Sequence, residues 1–111
     1  MFARSQRLRK SSDISRLYKR GKRAFSSHLK IYYLNNPRGG TRVAVVVSKK
    51  IDKRAVIRNR AKRRVRELIR GYLKNSQNLQ FDILVNIQSS LEGCSTEELS
   101  QEVRQLMERM R

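Results

Sequence analysis

The stretch VIRNRAKRRVRELIRGYL, residues 56–73, determines how this chain is organised. At 100° per residue its apolar and basic side chains separate onto two faces of a helix. The apolar face contains Ile57, Ala61, Val65, Leu68, Ile69, Tyr72 and Leu73. The opposite face contains Arg58, Asn59, Lys62, Arg63, Arg66 and Arg70. The pattern predicts a helix that buries one face and presents a row of cations on the other.

Helix stability alone does not favour such a row, since like charges four residues apart cost a few tenths of a kcal/mol each. A merely solvated face usually mixes signs, whereas this one has few acids. Guanidinium groups match phosphate oxygens with two parallel hydrogen bonds, so the row indicates a nucleic acid partner. A membrane surface is the rival partner. The helix lacks Trp and Phe on its apolar face and lies between strands that need that face, which disfavours membrane binding.

Composition supports a polyanionic partner. The 111 residues include 27 basic and 9 acidic ones, for a net charge of +18. The positive charge is concentrated in residues 1–23 and 48–74, and residues 75–111 are slightly acidic. Self-repulsion of this size is relieved by binding a polyanion. The length suits one compact domain, residues 1–111.

Cys94 is the single cysteine, so no internal disulfide can form. The longest apolar run, VAVVV at residues 43–47, is far too short to span a bilayer, and no signal-peptide pattern is present. We therefore expect a cytoplasmic protein in a reducing setting.

Periodicity and turn residues predict the order helix, strand, strand, helix, strand, helix. The predicted elements are a helix over 11–20, strands over 28–36 and 41–50, the helix of residues 56–73, a strand over 81–88 and a last helix from 95 or 96. Residues 1–10 are expected to form an extended basic arm. The short NNPRGG turn suggests an antiparallel hairpin of the first two strands. Helices mixed with short strands predict an α+β fold, a small α/β sandwich.

SKKIDKRAVIRNRAKRRVRELIR, residues 48–70, resembles the signature of the bacterial ribonuclease P protein component. The matching elements are SKK at the end of a strand, then RNR, KR and RE. The resemblance extends to RLRKSSDISRLYKRG at residues 7–21 and to FDILVNI at residues 81–87. It therefore covers nearly the whole chain in the family's order.

The resemblance implies a protein subunit of the ribonucleoprotein endonuclease that removes the 5′ leader from precursor tRNA. The implied partners are the catalytic ribonuclease P RNA and the single-stranded leader, with no membrane and no small-molecule substrate. Mg²⁺ and the catalytic centre are expected on the RNA. The implied fold has a mixed central sheet and a left-handed βαβ crossover, like ribosomal protein S5 domain 2, and the usual handedness rule would not predict that crossover.

The resemblance and the strand alternation together give two sets of site residues. The expected RNA-binding residues are Lys49, Lys50, Arg58, Asn59, Arg60, Lys62, Arg63, Arg66 and Arg70. The expected leader-cleft residues are Ile14, Tyr18, Lys30, Tyr32, Ala44 and Ser48. Ile14 stands where many relatives carry Phe, which replaces stacking with apolar contact. Many relatives also have a basic residue near 86–88, and this chain has none.

No catalytic or metal-binding residue is predicted on the chain itself. His28 is the only histidine and is expected to be structural or exposed, so a nucleophilic pair with Cys94 is not expected. The acids are dispersed in the sequence, and no nucleotide loop or zinc spacing occurs. The alternatives are a ribosomal or other structural RNA-binding protein, an autonomous ribonuclease and a DNA-binding protein. Of these, the first is the main alternative.

Overall fold

The computed structural model describes residues 8, 10–36, 40–74 and 80–110. Within these ranges the chain forms three α-helices and four β-strands. In chain order the elements are α1 (Ser11–Arg20), β1 (Lys22–Phe25), β2 (Leu29–Asn35), β3 (Arg42–Val47), α2 (Ala55–Lys74), β4 (Phe81–Ile87) and α3 (Thr96–Arg109). The predicted α+β class is confirmed, and the helix predicted over 56–73 is α2. None of these helices combines the length and the apolar composition that a membrane crossing needs.

The four strands form one mixed sheet in the order β1-β2-β4-β3. β4 is antiparallel to β2 and parallel to β3, so β3, α2 and β4 form a βαβ unit. The left hand of this unit stays an expectation from the resemblance. The predicted hairpin of β2 and β3 is wrong, because β4 lies between them. The amide of Asn36 donates to the carbonyl oxygen of Gln80 (2.6 Å), which places the end of β2 beside the start of β4.

β1 was not predicted. It has four residues, KRAF, between Gly21 and two serines, which is too short for a periodic signal. It pairs with β2 in antiparallel register, Arg23 opposite Tyr32 and Phe25 opposite Lys30. β1 is therefore an edge strand of the sheet. It adds two side chains, Arg23 and Phe25, to the face that carries Lys30 and Tyr32.

The larger hydrophobic core lies between one sheet face and the helices α2 and α3. Alternate strand residues point into it, including Ile31, Val45, Ile83 and Val85. The helices contribute Ala61, Val65, Ile69, Leu99, Val103, Leu106 and Met107. The apolar face of α2 thus covers the sheet, as its spacing predicts, and its other face is left outside.

The opposite sheet face carries a smaller cluster beneath α1, formed by Leu8, Leu17, Tyr32 and Leu84. The amide of Leu8 donates to the carbonyl oxygen of Val43 (3.0 Å), so the expected basic arm over 1–10 is anchored to β3 at this residue. Residues 1–7 and 9 of that arm lie outside the described residues. Helices on both faces of the sheet make the predicted sandwich.

Candidate RNA-binding site

The outer face of α2 is a cationic surface, as predicted. Asn59, Arg60, Arg63 and Arg66 are exposed, while Lys62 and Arg70 are partly exposed. Within the described part of the chain, Arg60, Lys62, Arg63 and Arg66 have no carboxylate oxygen within 4.0 Å. Arg70 approaches Glu67, with 4.0 Å between Nη1 and Oε2. The charge of this surface is therefore largely uncompensated by the protein.

Two arginines of α2 have intramolecular partners that the sequence does not reveal. Arg58, predicted to contact RNA, is partly buried and donates from Nη1 to the carbonyl oxygens of Asp52 (3.1 Å) and Lys53 (2.8 Å). Arg64 donates to the carbonyl oxygens of Leu91 (3.0 Å) and Cys94 (2.7 Å). Both therefore hold loops against α2, and Arg58 can give RNA only the part of its guanidinium that faces outward.

The turn that leads into α2 is fixed by Asp52. Its carboxylate accepts a hydrogen bond from the backbone amide of Arg54 (2.8 Å) and two from the Arg54 guanidinium. The side-chain hydrogen bond from Arg54 lowers the pKa of Asp52 to about 2. The predicted RNA-binding residues Lys49 and Lys50 precede this turn and are exposed. They lie between the end of β3 and the start of α2, so they extend the cationic surface toward the sheet.

The second predicted site lies on the sheet face that α1 partly covers. The strand register aligns Tyr32, Leu84 and Ala44 in one row across the sheet. The next row contains Lys30, Asn86 and Val46. α1 packs over the first row, and Val46 in the second row is exposed. We call the open area beside α1, bounded by Tyr18, Phe25, Lys30, Val46 and Asn86, the cleft.

Two aromatic rings reach into the open side of the cleft. Tyr18, from α1, is 41% exposed, and Phe25, from β1, is 58% exposed. The Tyr18 ring packs edge-on against Tyr32, with 4.9 Å between ring centroids, and its hydroxyl donates to Oδ1 of Asn86 (3.3 Å). Exposed rings held by neighbours in this way are suited to stack on nucleic acid bases.

Two cations lie close to aromatic rings on this face of the sheet. The Lys30 Nζ lies 5.0 Å from the Phe25 ring centroid and 4.9 Å from the Tyr32 ring centroid. The Arg23 guanidinium carbon lies 5.6 Å from the Tyr32 ring centroid. A cleft that combines exposed rings with cations matches the chemistry of single-stranded RNA, which offers bases and phosphates.

The predicted cleft residues do share this face, but their exposure differs. Tyr32 is only 7% exposed, so its ring supports Tyr18 and is not an open stacking surface. Ile14 and Ala44 are partly buried against the cluster beneath α1, and Ser48 is exposed at the end of β3. Arg23 and Phe25 were missed. Only recognition of β1 and its register with Lys30 and Tyr32 would have revealed them.

Two of the acids that are dispersed in the sequence come together in the fold. Asp13 and Asp82 are far apart in sequence, yet both contact Arg42. Nε and Nη2 of Arg42 donate to Asp82 (2.9 and 2.7 Å), and Nη1 donates to Asp13 (3.3 Å). The hydrogen bond to Asp82 holds the pKa of Arg42 above its usual value. Because the Arg42 guanidinium contacts both carboxylates, this cluster fixes α1 to the sheet.

His28 and Cys94 also approach each other, which the sequence did not predict. Their donor atoms and those of Glu102 lie within 4.8 Å of one another. His28 Nδ1 is 2.6 Å from Glu102 Oε2, which supports the predicted structural role of this histidine. Burial, together with the charges of Glu102 and Glu98, raises the pKa of the Cys94 thiol. A thiol whose pKa is raised is a weaker nucleophile, which argues against a nucleophilic role for Cys94.

A helix whose outward cations largely lack acid partners among the described residues covers one face of the sheet, and an aromatic cleft lies on the other face. Together they define an RNA-binding α+β protein. The sequence pattern of the Ribonuclease P family matches residues 2–111, and the chain belongs to that family. It is a protein component of the ribonucleoprotein endonuclease of tRNA processing, and it works with the ribonuclease P RNA on precursor tRNA. The family assignment supports this function over the alternative of a ribosomal protein.

Curated relatives and solved structures agree with the assignment. The chain is 32% identical to the ribonuclease P protein components of a Cyanothece species and of Clostridioides difficile, with 96% and 97% of this chain and 93% and 94% of the relatives covered. The ribonuclease P protein of Thermotoga maritima superposes with a TM-score of 0.83 at 28% identity, covering 95% of this chain and 97% of that one. For the Staphylococcus aureus protein the TM-score is 0.81 at 27% identity, with 96% and 95% covered.

Proposed function

We propose that the chain uses two surfaces at once: the outer face of α2 binds the catalytic RNA, and the cleft beside α1 holds the 5′ leader of precursor tRNA. The observation that carries this proposal is the outward row of cations on α2, of which Arg60, Lys62, Arg63 and Arg66 lack an acid partner among the described residues. The proposed RNA-binding residues are Lys49, Lys50, Asn59, Arg60, Lys62, Arg63, Arg66 and Arg70, with a lesser share for Arg58. The whole of residues 1–111 is proposed to act as one RNA-binding domain.

The α2 surface suits folded RNA because it is rigid and regular. Its guanidinium groups lie one helical turn apart and are backed by the core residues Ala61, Val65 and Ile69. Each group can give two parallel hydrogen bonds to a phosphate. Phosphate contacts position a partner without reading its sequence, so the surface is suited to an RNA recognised by its backbone shape.

The cleft suits a single strand because bases must be unstacked to reach its rings. Tyr18 and Phe25 can each stack on a base, and the Lys30 ammonium, close to the Phe25 and Tyr32 rings, can bind a phosphate. A base stacked on an aromatic ring contributes roughly 1–3 kcal/mol with little preference among bases. The cleft is therefore proposed to accept leaders of many sequences, with Asn86 as the one hydrogen-bonding group on its floor that faces Tyr18.

Hydrolysis is proposed to take place on the partner RNA, with Mg²⁺ held there. Three carboxylates near the two surfaces support this division of labour, because Arg42 forms ion pairs with Asp13 and Asp82, and Arg54 forms one with Asp52. A bacterial subunit with this role is proposed to be cytoplasmic, where tRNA is processed. The protein's contribution is then to position substrate and to neutralise phosphate charge.

Reconstitution with a bacterial ribonuclease P RNA tests the proposal. Adding the protein is expected to lower both the Mg²⁺ concentration and the substrate concentration that leader removal requires. Pure protein with precursor tRNA and Mg²⁺ is expected to cleave nothing. Robust cleavage without the RNA would place the catalytic centre on the polypeptide and overturn the proposed division.

A further inference from the structure

Three metal-ligating side chains from three segments meet beside the first residues of β2. His28 lies in the β1–β2 connection, Cys94 in the β4–α3 connection and Glu102 in α3. Their donor atoms all lie within 4.8 Å of one another. The side chains of His28 and Glu102 are 25% and 12% exposed, and Cys94 is 8% exposed. Over the described ranges, no other group of three His, Cys, Asp or Glu side chains comes this close together in a way that could hold a metal ion.

We propose that His28, Cys94 and Glu102 bind one divalent cation of the zinc class. An imidazole nitrogen, a thiolate sulfur and a carboxylate oxygen are the donors that Zn²⁺ takes in proteins. Bonds of 2.0–2.3 Å place tetrahedral donors about 3.3–3.8 Å apart. The widest donor separation here is below 4.8 Å and the His28–Glu102 distance is 2.6 Å. Shifts of roughly an ångström, within reach of side-chain rotation, convert one arrangement into the other.

The local charges favour a cation despite the net charge of the chain. The carboxylates of Glu98 and Glu102 both act on the Cys94 thiol. On binding, the thiol gives up its proton to solvent, and the thiolate and the Glu102 carboxylate together balance the 2+ charge. The charge of Arg64 also acts on Cys94 and favours the thiolate, and its guanidinium donates to the carbonyl oxygens of Leu91 and Cys94. A water molecule would take the fourth position.

Without a metal, Glu102 accepts hydrogen bonds that orient the site. The Ser26 hydroxyl (2.6 Å) and the His28 amide (2.8 Å) both donate to Oε1. These contacts hold the carboxylate beside the imidazole, so metal binding needs little further ordering of these two side chains. A bound ion would join the β1–β2 connection, the β4–α3 connection and α3. It would therefore stabilise the fold at a point separate from the cleft.

Mg²⁺ is not expected to compete for this site. It prefers six oxygen ligands in octahedral geometry, whereas two of the three donors here are sulfur and nitrogen. The proposed ion is therefore distinct from the Mg²⁺ that the partner RNA uses.

A cobalt titration of the reduced, full-length protein without RNA tests the proposal. The chain has one cysteine and one histidine, so a thiolate-to-cobalt charge-transfer band can arise only at Cys94. We expect a band that saturates at one equivalent, is lost on adding Zn²⁺ and persists in excess Mg²⁺. Cys94→Ser should abolish it. His28→Gln and Glu102→Gln should each weaken Co²⁺ affinity by roughly tenfold or more, and Glu108→Gln, on the exposed face of the same helix, should leave it unchanged.

A thermal melt of the unmutated protein provides a readout that needs no variant. Zn²⁺ in excess should raise its Tm, and Mg²⁺ at the same concentration should not, because only Zn²⁺ binds the folded state at this site. No Co²⁺ band and no Zn²⁺-dependent rise in Tm would overturn the proposal. A band that is unchanged in both His28→Gln and Glu102→Gln would also overturn it, since the metal would then be held by the thiol alone.

Discussion

Arg42 and Asp82 form a two-point ion pair beneath α1, with Nε–Oδ1 and Nη2–Oδ2 distances of 2.9 and 2.7 Å. The pair joins β3 to β4 on the sheet face that carries the cleft, and Asp13 of α1 accepts a third hydrogen bond from Arg42. The contact thus connects the first residue of β3, the start of β4 and α1, the helix that bounds the cleft. It sets the position of α1, from which Tyr18 projects.

Removing Arg42 should be costly. Asp82 is a buried acid at 4% exposure, and Arg42→Ala would leave its charge with Asn36 (2.9 Å) and the more distant guanidinium of Arg16 (3.9 Å). Breaking a buried pair on one side costs about 3–5 kcal/mol, and the lower end is expected here because Asn36 remains. Urea unfolding monitored by circular dichroism measures the loss. The free energy of unfolding of Arg42→Lys should lie between those of the wild type and of Arg42→Ala. If Arg42→Ala unfolded with the same free energy as the wild type, the structural role of Arg42 would be contradicted.

The double substitution Arg63→Ala/Arg66→Ala should weaken binding to the catalytic RNA without loss of fold. Both side chains are exposed and lack acid partners among the described residues. Each lost phosphate contact should reduce the slope of log affinity against log salt by roughly 0.7–0.9. Filter binding across a salt series measures this slope. Arg104→Ala/Arg109→Ala, which removes the same charge from exposed positions on α3, is the matched control and should change affinity much less.

Arg64→Ala should lower the stability of the fold and leave RNA binding nearly unchanged, the reverse of the double substitution. Its guanidinium fixes the 91–94 loop through two carbonyl oxygens, and hydrogen bonds from a charged group contribute about 1.5–3 kcal/mol each. The variant should unfold at lower urea concentration, while its folded fraction should bind RNA nearly as the wild type does. An RNA-binding defect equal to that of Arg63→Ala, with wild-type stability, would show that Arg64 belongs to the RNA surface.

Leader recognition should depend on the ring of Tyr18 more than on its hydroxyl. Tyr18→Ala should lower affinity for precursor tRNA by about 1–3 kcal/mol at most, the contribution of one stacked base. Affinity for tRNA without a leader should not change. Tyr18→Phe keeps the ring and loses only the bond to Asn86, so it should bind the leader nearly normally. Equal losses for both tRNA forms would place Tyr18 outside the leader contact.

Phe25→Ala offers a second test of the cleft, at a residue that the sequence did not indicate. Its ring is exposed and contacts the Lys30 ammonium. The same leader-specific loss is expected with little change in stability, because Phe25 is 58% exposed and belongs to neither core cluster. A loss confined to stability would assign the ring to folding.

Much of the fold and of the RNA surface could be predicted because the spacing of apolar and basic residues within α2 is visible in that segment alone. Twenty residues with separated apolar and basic faces specify which side is buried, whatever the rest of the chain does. The leader cleft was predictable in part from the alternation of Lys30 and Tyr32 along β2.

The features that could not be predicted depend on pairing between distant segments. β1 is too short to show a hydrophobic period. The position of β4 between β2 and β3 is set by the sheet topology, which the pattern of a single strand does not indicate. The contacts of Arg42 with Asp82 and of His28 with Glu102 follow from that topology. The difference between Arg63, which is free among the described residues, and Arg64, which binds a loop, depends on one step of 100° around the helix.

Chemical modification of arginine with phenylglyoxal, read by mass spectrometry with and without the catalytic RNA, measures whether the outer face of α2 contacts that RNA. We expect bound RNA to protect Arg60, Arg63 and Arg66, while Arg104 and Arg109 stay as reactive as in the free protein. Equal modification of the three α2 arginines in the free and bound states would contradict this contact.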